Sequence, residues 1–197
     1  AAFFSAAGGD WERMRADLFG SNAEVTPLLA LLERDWTVGD LGCGTGQVAR
    51  MLAPFVKRVV GVDASAAMLE AAAARAGTNI ELREGQLESL PLADAEIDVA
   101  LMFLVLHYVV DPAIALQEAA RALKPGGGLL LVDMMPHDRE ELSETMGHVW
   151  PGFSEEQINE WMQAAGFDCL QHVSLPVDAR AKGPALFATR AYKPRSE

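Results

Sequence analysis

At 197 residues, half of them hydrophobic, the chain can bury one sizeable core and is too short for two ordinary domains. A formal net charge of −12 without any cluster of Lys and Arg argues against nucleic acids or acidic membranes as partners, because their phosphates must be neutralised by basic side chains. The longest apolar run, residues 97–110, is interrupted by Asp98 and His107 and falls short of the ~20 residues of a membrane span, and two cysteines, Cys43 and Cys169, suit a reducing compartment, so a cytoplasmic protein is expected.

In chain order, residues 1–35 read as a helical cap segment carrying the aromatics Phe3, Phe4 and Trp11, and residues 36–197 as one domain. A strand at 37–41 leads into a glycine-rich turn and a helix at 47–53. A second strand at 58–62 ends at Asp63, and an alanine-rich helix follows at 66–76 with Ser65 as its N-cap. Strands at 80–83 and 98–103, a helix at 112–123, the turn Lys124-Pro125-Gly126-Gly127-Gly128 and a strand at 129–134 come next. Two more helices are expected at 138–147 and 155–165, Ser154 capping the second, and residues 167–175 and 185–192 suit a closing hairpin. The alternation of strand and helix predicts βαβ units, and strands that are near-continuous apolar runs predict helices on both faces. The expected fold is α/β: a Rossmann-like, doubly wound, mostly parallel seven-stranded sheet with a C-terminal antiparallel hairpin.

The segment VGDLGCGTGQ, residues 38–47, carries the chemistry. Gly42, Gly44 and Gly46 strip side chains from a turn that must approach a ligand, and Asp63, twenty-three positions after Asp40, can accept both hydroxyls of a ribose. The glycines fall at G-x-G-x-G, one position off the dinucleotide pattern, and Asp40 would repel a pyrophosphate while suiting an ammonium or sulfonium. This favours S-adenosylmethionine over NAD; the chain also lacks the Tyr-x-x-x-Lys pair of many NAD-dependent reductases.

Together with that segment, VVGVDASAAML, EGQLESLPLADAEIDVA, LVLHYVVDP and LKPGGGLLLVD, in this order and spacing, resemble the class I S-adenosylmethionine-dependent methyltransferases. FFSAAGGDWERMRADLFG, PHDREELSETMGHVWPGFS and KGPALFATRAYKP extend the resemblance over essentially the whole chain, to the methyltransferase domain C-terminal to a winged-helix domain in ArsR-type regulators. The resemblance implies S-adenosylmethionine as cofactor and S-adenosylhomocysteine as product. It places Asp40, Gly42, Cys43, Gly44 and Gly46 at the methionine moiety, Asp63 and Ala64 at the ribose, and Met68, Gln86 and Leu87 at the adenine, with the backbone of Met102 and Phe103 beside the sulfur. Gln86 departs from the family's usual Asp. Met68 is equally readable as helix core, and Met102, Phe103 and Leu104 as sheet core. His107, His137 and His148 are the candidate bases, against the plainer reading of His107 as a hydrogen-bonded structural residue. Trp150 is either an aromatic wall of the substrate pocket or the packing anchor of a lid helix.

The function expected is methyl transfer to a small-molecule acceptor; the alternative is a non-catalytic domain of a transcription regulator that senses S-adenosylmethionine or S-adenosylhomocysteine. A homodimer, and a DNA-binding domain ahead of Ala1, accompany that expectation; no metal does.

Overall fold

The computed structural model describes residues 11–20, 22–23, 25–177 and 180–195. Helix α1 (Trp11–Phe19) and a 3-10 turn (Thr26–Leu31) precede β1 (Thr37–Leu41), α2 (Gln47–Leu52), β2 (Arg58–Asp63), α3 (Ala66–Ala73) and β3 (Ile80–Glu84). After β4 (Ile97–Phe103) come a 3-10 turn (Leu106–Tyr108), α4 (Pro112–Ala122), β5 (Leu123–Met134), α5 (Glu140–Met146), α6 (Glu155–Ala164), β6 (Asp168–Ser174) and β7 (Leu186–Tyr192). Phe3 and Phe4 lie outside the described residues.

The strands form one sheet in the order β3-β2-β1-β4-β5-β7-β6. β1 to β5 are mutually parallel, and β7 runs antiparallel to both β5 and β6. The expected seven-stranded, mostly parallel sheet with a closing hairpin is therefore present. The chain winds outward from β1 to β3 and then returns to the other side of β1 as β4. Loops leaving β1 and β4 consequently diverge, opening a crevice over their carboxyl ends.

Capping fixes several helix starts. Ser65 Oγ accepts from Met68 N, Asp111 Oδ1 from Ile114 N, and Ser154 Oγ from Gln157 N, each satisfying an orphan donor of a first turn. Two boundaries differ from the sequence reading by three residues or more. α3 stops at Ala73 rather than 76 because Arg75 N and Ala76 N turn to the carbonyls of Ala72 and Ala73, tightening the last turn ahead of Gly77. β5 starts at Leu123 rather than 129: Ile97 pairs with Leu123 and Val99 with Gly128, so the Lys-Pro-Gly stretch is a bulge within the strand and not a turn before it.

Alternation along β4 sends its side chains to two cores. Ala100 and Met102 join Leu116, Ile158 and Met162 under α4 and α6, while Val99, Leu101 and Phe103 face Val38, Ala49 and Leu52 on the α2 side. Phe153, Phe187, Ile158 and Met162 are fully buried, each contributing about 1.5–3 kcal/mol of burial. Among the described residues no helix is long and apolar enough to cross a membrane.

Candidate active site

The turn after β1 is built by backbone geometry that side chains rarely tolerate. Gly42 has φ +81 and Gly44 φ +51, both in the left-handed region. Gly42 N and Cys43 N donate to Val62 O at 2.7 and 3.0 Å, tying the turn to the end of β2. A Cβ on Gly42 would stand 2.2 Å from Val105 Cγ2, whereas a Cβ on Gly44 would meet nothing within 4 Å. The first glycine thus admits the β4 loop, and the second leaves a bare backbone facing open space.

Asp63 locks the other side. Its Oδ2 accepts from Gly44 N at 2.8 Å and its Oδ1 from Ser65 N at 2.9 Å. Two of the roughly four lone-pair sites of a carboxylate are thereby used, and the others remain for a ligand's hydroxyls.

Over this floor lies a cavity of about 600 Å³, a size suited to a small-molecule or cofactor ligand. Gly42, Gly44, Asp63, Ala64, Met68, Gln86 and Leu87 all line it. Met68 is 46% exposed on the cavity wall, which settles its reading against helix core. The opposite wall is largely apolar, formed by Leu104, Val105, Val109, Val110 and Met146 with the ring of Tyr108. Leu104 holds φ +51, a strained conformation for a side-chain-bearing residue, and marks the point where β4 breaks away from the sheet to form that wall.

Five residues expected at the cofactor are not part of the lining. Asp40 is buried and turns away from the cavity, its Oδ2 accepting Ala49 N at 3.0 Å, so it caps α2 from below. Burial, opposed by that hydrogen bond and reinforced by the charge of Asp63, raises its carboxyl from 3.8 to about 6. Gly46 is the buried, left-handed N-cap residue of α2. Cys43 packs beneath the turn against Gly61, and burial, with the charges of Asp40 and Asp63, pushes its thiol up to about 12. Met102 and Phe103 point into the two cores, because a strand covered on both faces has no side chain to spare for the crevice at its end.

The structure brings His107, His148 and Tyr108 together behind the apolar wall. Ring centroids lie 4.2 Å apart for His107 and Tyr108, 4.3 Å for His107 and His148, and 5.1 Å for Tyr108 and His148. Val149 N and Trp150 N donate to His107 O, which pins the segment bearing His148 against the β4 loop. His107 is 3% exposed, and its Nδ1 lies 2.8 Å from Asp133 Oδ1. Asp133, fully buried at the end of β5, also accepts from Leu106 N at 3.0 Å and Met134 N at 2.7 Å. Burial, and after it the proximity of His107 and His137, holds the His148 imidazole below its ordinary value, with Asp133 opposing; burial and Asp133 raise the Tyr108 phenol. His148 Nδ1 and Nε2, and His137 Nε2, are buried with no hydrogen-bond partner.

Neither His107, His137 nor His148 lines the cavity directly; Tyr108 does, and its ring contacts those of His107 and His148. The fourth histidine, His172, stacks on Phe187 and bonds Thr189 in the hairpin, away from the site. Trp150 is a packing anchor, its Nε1 donating to Val109 O and its ring set among Phe153 and Trp161. Asp133 was missed by the sequence reading, although it closes the apolar run LLLVD as Asp63 closes VVGVD. Among the described residues, no group of three or more His, Cys, Asp or Glu could hold a metal ion.

The residues present fit an adenosyl sulfonium ligand: a side-chain-free backbone at Gly44, a carboxylate at the rim, an exposed thioether and amide at Met68 and Gln86, and no basic group to favour a pyrophosphate among the lining side chains.

Residues 39–131 match the family model described as a methyltransferase domain. The uncharacterized methyltransferase YcgJ of Bacillus subtilis is 34% identical over 114 residues, 56% of this chain and 45% of that protein. A malonyl-[acyl-carrier protein] O-methyltransferase of Yersinia pestis is 30% identical over 138 residues, 70% of this chain and 48% of that one. The chain spans less than half the length of either relative. Among solved structures, an S-adenosylmethionine-dependent methyltransferase from Mesorhizobium loti superposes with a TM-score of 0.72 at 24% identity, covering 85% of this chain and 96% of the other, a likeness of fold.

Proposed function

We propose that the chain, whose residues 39–131 match a methyltransferase domain, is a class I, S-adenosylmethionine-dependent enzyme that transfers a methyl group to a small-molecule acceptor. One observation carries the reading: a single cavity of about 600 Å³ has the glycine turn and Asp63 as its floor and Tyr108, backed by a buried imidazole cluster, on its other side. When bound, S-adenosylmethionine supplies a methyl group already activated on a positively charged sulfur. Asp63 would hold the ribose hydroxyls and the Gly44 backbone the amino-acid end, with Met68 and Gln86 at the adenine. Leu104, Val105 and Val109 exclude water from the reacting face.

With the electrophile preactivated, the protein's task is to align the acceptor, which can supply several kcal/mol of the barrier. The confined, mostly apolar acceptor wall and a net charge of −12 favour a small organic acceptor over a nucleic acid. Calorimetry with S-adenosylmethionine, S-adenosylhomocysteine and NAD tests the reading: the first two are expected to bind, and binding of NAD alone would refute it. Tight binding of both sulfur compounds without methyl transfer to any of a broad panel of small acceptors would instead favour the sensing role.

A further inference from the structure

Asp133 belongs to neither the cofactor floor nor the cavity lining, yet it is fully buried and makes three hydrogen bonds at the carboxyl end of β5. Two backbone N–H groups, of Leu106 and Met134, already point at it, so its carboxylate can only accept from His107 as well. In the neutral ring that assigns the hydrogen to His107 Nδ1 and leaves Nε2 as a lone pair. Against this imidazole lies His148, with both ring nitrogens unpartnered, and His137, near His148, has its Nε2 unpartnered as well. Buried polar atoms in native proteins are almost always paired, and an unpaired group in a native interior calls for an explanation. The three lie close to the cavity, and a hydroxyl-bearing occupant reaching them would give them a hydrogen-bond partner. Tyr108 touches both rings, lines the cavity and is 41% exposed, so turning its side chain outward would connect cavity and cluster.

We propose that Asp133 is a positioning residue that fixes His107 as the proton acceptor for a phenolic or enolic hydroxyl, seated among His107, His148 and His137 once the Tyr108 ring turns aside. This rests on the methyltransferase reading and specifies its acceptor. The hydroxyl's proton passes to Nε2, the O–H bonding pair stays on oxygen, and the resulting imidazolium is balanced by the Asp133 carboxylate 2.8 Å from Nδ1. Acceptors of this kind match the site because an imidazole most effectively takes protons from weakly acidic hydroxyls, and because a flat apolar body suits Leu104, Val105, Val109 and Tyr108. A thiol, already partly ionised near neutral pH, needs no such pair.

The test uses the full chain labelled with 15N-histidine, as wild type and as Asp133→Asn. Wild-type His107 is expected as the Nδ1–H tautomer. In Asp133→Asn the amide either turns its NH2 toward Nδ1 and drives the hydrogen onto Nε2, or keeps its oxygen there with Met134 N and forfeits the charge that balances the imidazolium. Methyl transfer to 4-nitrophenol or 4-hydroxycoumarin should then fall about 100-fold or more, the loss expected of a general base, with affinity for S-adenosylhomocysteine unchanged. A wild-type Nε2–H tautomer overturns the proposal even where Asp133→Asn fails to fold. So does unchanged transfer to both phenols by a folded Asp133→Asn, or transfer confined to 4-nitrothiophenol. Failure of the wild type to bind S-adenosylmethionine in parallel calorimetry would sink the methyltransferase reading instead, and with it the acceptor, while the tautomer separately judges the Asp133–His107 pair.

Discussion

Asp40 is a carboxylate that the fold stores at a cost, and replacing it by Asn should expose that cost. It is 2% exposed, accepts one hydrogen bond from Ala49 N and lies near the like charge of Asp63. Its folded value of about 6 lies above the ordinary 3.8, so between those pH values the native state binds a proton that the unfolded chain does not. Stability contributed by this group is therefore greatest in acid and declines as pH rises from about 4 to about 6. At ~1.4 kcal/mol per pH unit, the ionised form costs about 3 kcal/mol at neutral pH as an upper bound. Asn keeps an oxygen for Ala49 N and carries no charge. Urea unfolding of the ligand-free chain should find Asp40→Asn more stable than wild type by about 1–3 kcal/mol at pH 7.5, with the gap closing toward pH 4. A gap independent of pH, or a wild type that gains on the variant as pH rises, would refute the reasoning.

Asp63→Ala should weaken S-adenosylmethionine binding by about 1–3 kcal/mol, the cost of orphaning hydrogen-bonded groups, read by calorimetry; unchanged affinity would remove Asp63 from the site. Gly42→Ala places a Cβ 2.2 Å from Val105 Cγ2 at φ +81 and should cost about 2–5 kcal/mol of stability, seen as a lower urea midpoint, along with cofactor affinity. Glu96 accepts from Arg83 and Ala93 N beside Arg58, and chiefly the Arg83 hydrogen bonds lower its carboxyl from 4.5 to about 2. That contribution is present above about 4.5 and lost as pH falls toward 2, so Glu96→Gln should be less stable than wild type at pH 6, with the gap narrowed at pH 3 and closing only toward pH 2 in urea titrations.

The sheet was readable because each βαβ unit writes its own pattern, and the glycine turn and Asp63 were readable because a few consecutive residues dictate their backbone. Met68, Gln86 and Leu87, which only the resemblance singled out, line the cavity. For Met102 and Phe103 only the backbone was expected beside the ligand, and which core each side chain fills was not legible, since apolar side chains on a strand buried from both sides look alike until the register is fixed. At Asp40 the charge was visible, while the free N–H of Ala49 that turns the carboxylate inward appears only once α2 is in place. The meeting of His107 with Asp133 spans 26 residues and two strands, beyond what any local pattern records. Even so, an acid closing an apolar strand was the same signal that found Asp63. Lys124–Gly128 read as a turn because Pro and Gly usually punctuate; the pairing of Leu123 with Ile97 overrode that tendency.

Cys43 sits under the glycine turn, covered and with its thiol held protonated at ordinary pH. Alkylating reagents attack thiolates, so they must wait until the turn lifts off Gly61. In a Cys169→Ser background the labelling rate of Cys43 becomes a clock for that local opening, and any occupant that clamps Gly44 and Asp63 should slow it. The protein thus carries its own probe of whether its nest is filled, with no dye or substrate required.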